Sequence, residues 1–430
     1  MDSLIIKVVT LGCKVNQCES ASIVSTLNSH NYNASEGLAP ADVYILNTCS
    51  VTAEADKKSR QHVSKMCKLN PDCRIIVVGC STQNKPHKFE KSNVIAIGST
   101  TDKARFCLSI IDKLYKDNHY NTLLNRIIFD ENIEKIDKST QFCYEKYPKS
   151  TKTRAFIKIQ DGCNRFCSYC IIPYLRGRSR SRSIDDIVKE CEHISSKEVV
   201  LTGIDMSMYG KDIGVSFTEL LNALSRVKAR KRLGSLECEV VDRPMLEAMR
   251  DGNYCPHFHL SLQSGSNEVL RTMNRHYDQE FYFEKIELIR QYFPLAGITT
   301  DIIVGFPTET DEFFRESCDF IDKCKFSDIH VFPYSSREGT LAARKYKTLP
   351  PSIVKERVNV LLDIKSRLHG AFLNQNTNAI MPVYIEDVED SFNVGYTPNY
   401  IKVYSKEPCG EIVDLCLTDK YKDGLFAVRK

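Results

Sequence analysis

Short apolar runs alternate with longer amphipathic stretches through the first hundred residues. The apolar segments 5–11, 43–46 and 74–78 read as buried strands, and the stretches 19–29 and 53–68 carry the longer period of helices. Strands alternating with helices predict a parallel, doubly wound sheet. A second βα series opens at residue 154. It predicts strands over 154–160, 197–204, 233–239, 257–263, 297–305 and 328–334, with helical stretches such as 185–194 between them. Six such units predict a partial barrel rather than a closed eight-unit one. A long helix over 351–374 ends this series, and from 380 onward the pattern becomes five short alternating segments joined by turn residues. That pattern predicts a small antiparallel β-barrel. The expected fold is α/β: an N-terminal doubly wound parallel sheet (1–118), a polar connection (119–150) with one short strand at 123–129, a central partial (βα)6 barrel (151–374) and the small β-barrel (375–430).

Composition changes this picture little. A chain of 430 residues is too long for one ordinary core, and 42% hydrophobic with 27% charged residues is the balance of a globular protein. No run of 18 apolar residues offers a membrane span, and the start of the chain lacks the basic, apolar and small-residue series of a signal peptide. Eighteen cysteines would form disulfides in a secreted chain. Without an export signal they read as metal ligands or plain core residues in a reducing cytoplasm.

Two cysteine triplets stand out. Cys163, Cys167 and Cys170 are spaced C-x-x-x-C-x-x-C, and the next cysteine is Cys191. A structural zinc site takes four protein ligands. Three thiolates on one loop suit an iron–sulfur cubane with one iron left open; zinc borrowing a distant ligand is the alternative. Cys13, Cys49 and Cys80 each follow a predicted strand of the first sheet, at the end where such sheets bind ligands, so they should converge. Three buried apolar cysteines are the alternative there. Cys18, Cys67, Cys73 and Cys107 lack this placement and read as core or surface residues.

Over essentially its whole length the chain resembles the methylthiotransferases of the radical S-adenosylmethionine (SAM) superfamily. The stretches that carry the resemblance are Thr10-Leu-Gly-Cys-Lys-Val-Asn-Gln17, Asn47-Thr-Cys-Ser-Val-Thr52, Val78-Gly-Cys80, the loop Gly162 to Cys170, Leu201-Thr-Gly203, His259-Leu-Ser-Leu-Gln-Ser-Gly265 and Thr300-Asp-Ile-Ile-Val-Gly-Phe-Pro307. The resemblance implies a cluster-binding N-terminal domain, a radical SAM core and a C-terminal RNA-binding TRAM domain. It implies two 4Fe-4S clusters and two SAM. The cluster on Cys163, Cys167 and Cys170 would cleave SAM to a 5′-deoxyadenosyl radical, and the one on Cys13, Cys49 and Cys80 would carry the sulfur. Residues 11–17, with Lys57-Lys-Ser-Arg-Gln61, look like the branch acting on N6-threonylcarbamoyladenosine at tRNA position 37. The same chemistry on isopentenyladenosine tRNA or on a ribosomal protein is the enzyme alternative; a metal-stabilised RNA-binding protein is the alternative from another class. The partners implied are the tRNA anticodon stem-loop and an electron donor such as a flavodoxin or ferredoxin, with no membrane; the sulfur donor is not identified.

Further contacts are carried over position by position. Tyr169, Gly203, Glu237, Gln263 and Gly305 match SAM-contacting positions, with Cys238 standing where proline is usual. Arg176, Arg178, Arg180 and Arg182 follow the cysteine loop, and arginines pair well with phosphate, so they are expected to contact RNA. Tyr396, Asn399, Tyr400 and Lys402 offer the aromatic and polar contacts of RNA-binding barrels. Residues 228–232, Lys-Ala-Arg-Lys-Arg, read as ordinary surface.

Overall fold

A computed structural model describes residues 4–116, 127–133, 142 and 153–429. Most of the connection expected at 119–150, and residues 123–126 of its short strand, lie outside the described residues.

Strands β1 (Ile5–Thr10), β2 (Asn33–Glu36), β3 (Val43–Thr48), β4 (Arg74–Gly79), β5 (Val94–Ile97) and β6 (Ile128–Phe129) form one parallel sheet in the order β2-β1-β3-β4-β5-β6. β3 is buried at every position because helices cover both faces. Helices Lys14–Ser29 and Lys103–Lys116 pack on one face through Ile23, Leu27, Ile110 and Ile111; helix Ala53–Leu69 packs on the other through Val63 and Met66. The first helix begins at Lys14, earlier than its apolar period suggested, so Cys13 is its N-cap.

The second unit comprises β7 (Arg154–Lys158), β8 (Gln160–Asp161), β9 (Arg180–Ser181), β10 (Glu198–Thr202), β11 (Arg230–Leu233), β12 (Ser235–Leu236), β13 (His257–Leu260), β14 (Gly297–Val304) and β15 (Asp328–Pro333). Two parallel arcs, β11-β10-β7 and β12-β13-β14-β15, make the partial barrel. The strand expected at 233–239 is instead split: β11 starts at Arg230, and Gly234 separates it from β12. The first helix of the N-terminal unit packs along β7, where Cys18 Sγ donates to the Phe156 carbonyl at 3.4 Å.

Helix Pro351–Asn376 leads to β16 (Ile380–Glu389), β17 (Phe392–Tyr396), β18 (Lys402–Ser405), β19 (Ile412–Tyr421) and β20 (Gly424–Val428). They close into a barrel, antiparallel except where β18 meets β20, around Val383, Ile385, Val403, Leu415 and Leu425. The α/β class and the small C-terminal barrel read from the periodicity are both present. Among the described residues no helix is long and apolar enough to cross a membrane.

Candidate functional site

Cys13, Cys49 and Cys80 follow three adjacent strands, β1, β3 and β4. The winding of the sheet reverses between β1 and β3, the place where open α/β sheets bind ligands. Gly12 has φ +95°, and a Cβ there would lie 2.6 Å from Cys49 Sγ, so the first loop closes on the second only with glycine. Cys49 and Cys80 are buried and Cys13 is exposed. Burial pushes the Cys49 thiol up to about 11, and the neighbouring Cys80 and Cys13 add to the shift.

The second triplet sits on an excursion tied at its base. β8 pairs with β9, Asp161 opposite Arg180, so the residues between them form one closed loop. Gly162 starts it with φ +72°, and a Cβ there would lie 1.9 Å from the Arg178 carbonyl oxygen. The Arg165 backbone N–H donates to Cys163 Sγ at 3.5 Å, and Arg275 Nη1 donates to Cys167 Sγ at 3.4 Å. Burial pushes the Cys170 thiol up to about 12, with Cys167 adding; burial and then the Asp205 carboxylate push Cys163 up further. Thiols held neutral in this way are deprotonated when a metal coordinates them.

Around this loop lies a ring of charged groups. Glu237 is ion-paired with Arg275, and its other oxygen is 3.8 Å from Arg165 Nε. Burial raises the Glu237 carboxyl against these two arginines. Asp205 accepts from Arg165 Nε at 2.8 Å through Oδ2, while its buried Oδ1 has no donor. Asp205 comes two residues after Gly203, and the sequence reading passed over it; an acidic residue just past the strand end was the available signal. Gly203 packs against Gln160, whose Oε1 accepts the Ile204 and Asp205 backbone N–H groups at 3.0 and 2.8 Å. Gln263, three residues beyond the end of β13, adopts φ +71°. Gly305 has φ +75°, and its open side faces Val354 of the long helix. Tyr169 packs edge-on against Phe306, with ring centroids 6.4 Å apart.

The two triplets face one interface. Cys80 packs with Ile171 and Leu175, the residues just beyond Cys170. Beneath them Arg176 donates from Nη1 to Glu19 Oε1 at 2.9 Å and Asp161 Oδ1 at 3.0 Å, and from Nη2 to Asn16 Oδ1 at 2.8 Å. Lys103 and Lys158 reach Glu19 at 2.6 and 2.7 Å. Arg176 is 0% exposed, so its expected contact with RNA phosphate is corrected: the guanidinium cross-links two domains. Arg180 and Arg182 are corrected for the same reason. Arg180 is buried on Asp161 and the Arg176 carbonyl, and Arg182 is buried on Asp186 and Glu190. Of the four arginines only Arg178 is exposed, its guanidinium 4.7 Å from the Phe166 ring.

The surface reading of residues 228–232 holds for the exposed Lys228 and is corrected for residues 230–232. Arg230, Lys231 and Arg232 are buried in β11, where Glu198 of the adjacent strand receives both arginines. Asn399, expected at RNA, is 2% exposed and bonds the Leu295 carbonyl and Asn376. Lys402 is already paired with Glu389 and Asp423. Tyr396 stacks on Tyr400, which stacks on His257 of the central barrel.

The donor sets can be tested against the groups they would hold. A single ion needs its ligand atoms drawn close together. Among the described residues His259, Asp301 and His330 form such a set, with all ligand atoms within 4.8 Å of one another. Each triplet supplies three thiolates, the donor set of a cubane cluster with one open iron, whereas a structural zinc site takes four protein ligands. The donorless Asp205 Oδ1 suits a cationic ligand group beside Cys163.

Comparison with known proteins agrees with this geometry. The model described as "Radical SAM superfamily" matches residues 157–321, and that described as "Uncharacterized protein family UPF0004" matches residues 5–98. A radical SAM methyltransferase from Kitasatospora setae, TsrM, solved with cobalamin and a [4Fe-4S] cluster, superposes with TM-score 0.55 over 79% of this chain and 77% of its own, at 13% identity, which is a likeness of fold. The barrel and its cysteine loop thus define a radical SAM protein. "Threonylcarbamoyladenosine tRNA methylthiotransferase MtaB" of Bacillus subtilis (strain 168) is 36% identical over 97% of this chain and 95% of its own length. "tRNA-2-methylthio-N(6)-dimethylallyladenosine synthase" of Thermoanaerobacter sp. (strain X514) is 34% identical over 88% and 81%. The chain belongs to the radical SAM tRNA methylthiotransferase family.

Proposed function

We propose that this chain adds a methylthio group to C2 of N6-threonylcarbamoyladenosine at position 37 of tRNA, acting in the cytoplasm with two 4Fe-4S clusters and two SAM. The observation that carries this reading is the meeting of two three-cysteine sets at one interface, with Cys80 packed against the residues that follow Cys170. Held there, one cluster with an open iron would supply the chemistry of reductive SAM cleavage and the other would supply the sulfur to be transferred.

The protein's own groups do the positioning. Cys163, Cys167 and Cys170 hold one cluster; Cys13, Cys49 and Cys80 hold the other. Arg275 directs an N–H to Cys167 and fixes Glu237. Asp205 Oδ1, which has no donor, and Glu237 would accept hydrogen bonds from SAM, and Gly203, Gln263, Gly305 and Tyr169 would shape the rest of that cradle. Lys103, Lys158, Arg176 and Arg180 outnumber Glu19 and Asp161 beneath the interface, an excess of positive charge that suits anionic clusters. Arg178 remains as a contact for tRNA phosphate, and Tyr396 as an aromatic one; the electron donor is a flavodoxin or ferredoxin.

Mass spectrometry of tRNA nucleosides from a deletion strain tests the reading. Loss of 2-methylthio-N6-threonylcarbamoyladenosine, with its unthiolated precursor accumulating, is expected. The near-equal identity to a dimethylallyladenosine enzyme makes that base the second reading. Loss of the methylthio mark from isopentenyladenosine alone would select it and refute the first.

A further inference from the structure

The central barrel, Lys14 and the C-terminal domain line a half-open cavity of about 400 Å³. Alternate residues of the strands face it: His257 and His259 of β13, Thr299 and Asp301 of β14, Asp328 and His330 of β15. Asn399 and Tyr400 of the C-terminal domain close one end. Lys14, from the first turn of the N-terminal helix, is part of the wall. Three residues of the wall adjoin candidate site residues along the chain or through the backbone. Lys14 follows Cys13, Ser235 lies two residues before Glu237, and the Asp301 carbonyl accepts the Gln263 N–H at 2.8 Å.

The anions of the wall already have partners. Asp301 Oδ2 is 3.3 Å from His259 Nε2, and Asp328 is 3.0 Å from Lys365. Lys14 has none: it is exposed to the cavity it lines with Arg232 and Tyr400, and among the described residues its ammonium makes no hydrogen bond or ion pair. His330 likewise makes no hydrogen bond among the described residues. Arg154, Arg230 and Arg232 surround Glu198, and Glu386 adds one more carboxylate at Arg154. With Lys14 the group counts four cations to two carboxylates. The excess of two positive charges favours an anionic occupant, whereas an uncharged hydrocarbon would cover Lys14 without a counter-charge.

We propose that Lys14 is the specificity-determining residue of this enzyme and binds the carboxylate of the substrate's threonylcarbamoyl group inside the barrel cavity. This rests on the substrate reading given above. His330 faces the same space and offers a ring N–H to the substituent's hydroxyl or carbonyl oxygens.

The test compares reconstituted holoenzyme binding to three anticodon stem-loops, carrying threonylcarbamoyladenosine, its carboxamide analogue or plain adenosine. Wild-type protein should bind the acid at least about ten-fold more tightly than the amide, the worth of one charge-assisted contact. Lys14→Met should reduce that ratio to within about two-fold and Lys14→Arg should restore it, with iron content unchanged in both. Equal binding of acid and amide by wild-type protein that still methylthiolates the acid overturns this inference and leaves the substrate reading standing. So does undiminished discrimination in Lys14→Met. A wild-type holoenzyme that methylthiolates none of these stem-loops but does modify an isopentenyl one refutes the substrate reading, and the inference with it. The acid–amide comparison needs no variant, so a misfolded Lys14→Met cannot rescue the proposal.

Discussion

Arg176 Nη1 lies 2.9 Å from Glu19 Oε1, and this buried pair joins the helix that follows Cys13 to the turn that follows Cys170. The relative placement of the two triplets therefore rests on a salt bridge rather than on either domain alone. Removing one partner strands the other charge. Arg176→Met should cost about 3–5 kcal/mol in a chemical denaturation series, the usual penalty for breaking a buried ion pair. Arg178→Ala should leave stability unchanged and lower the salt dependence of RNA binding by about one phosphate contact. A larger RNA defect in the Arg176 variant, at unchanged stability, would return that arginine to the nucleic-acid surface.

The same network sets an acid limit. Burial alone would raise the Glu19 carboxyl, but Arg176, Lys103 and Lys158 outweigh burial and hold it well below the usual range. Lys158, Arg176 and Arg180 do the same for Asp161. Folded-state values depressed below the unfolded ones stabilise the protein fully above about pH 5, and the contribution is lost as pH falls through the folded values. Urea midpoints should therefore fall between about pH 5 and pH 3, and Glu19→Gln should flatten that slope. A variant as acid-sensitive as wild type would remove Glu19 from the account.

Asp205 has an acceptor atom, Oδ1, that no protein group satisfies. Asp205→Asn should weaken SAM binding to the reconstituted protein by about 1.5–3 kcal/mol, read by equilibrium dialysis, without loss of iron. Unaltered SAM affinity would assign Asp205 only to holding Arg165.

Gly162→Ala should prevent the cysteine loop from forming. The new methyl group would stand 1.9 Å from the Arg178 carbonyl oxygen, at a φ of +72° that L residues rarely adopt. Iron per chain after anaerobic reconstitution should fall by about four, the content of one cubane. Full iron content in this variant would show that the β8–β9 bracket is not what shapes the loop.

The architecture was legible because strand length and period carry it. The apolar runs ending at Leu11, Leu46 and Val78 mark three strands whose ends lie together, and the five alternating segments after Ile380 close into a barrel. The arginines were misread because a run such as Arg176 to Arg182 looks like a solvated surface, whereas its counter-charges, Glu19 and Asp161, come from distant turns of the chain. Residues 230–232 hid a strand for the same reason, since Glu198 neutralises them only once β10 and β11 pair. Asn399 went astray because its partners, Leu295 and Asn376, belong to other parts of the chain. Long-range charge pairing has no local pattern to read.

The division of labour between the triplets is the central claim, and the Cys49→Ala holoenzyme tests it most directly. Incubated with SAM, a reductant and threonylcarbamoyladenosine stem-loop, it should still release 5′-deoxyadenosine and form no methylthiolated product, while Cys167→Ala should release no 5′-deoxyadenosine at all. Methylthiolated RNA from the Cys49→Ala protein would contradict the account.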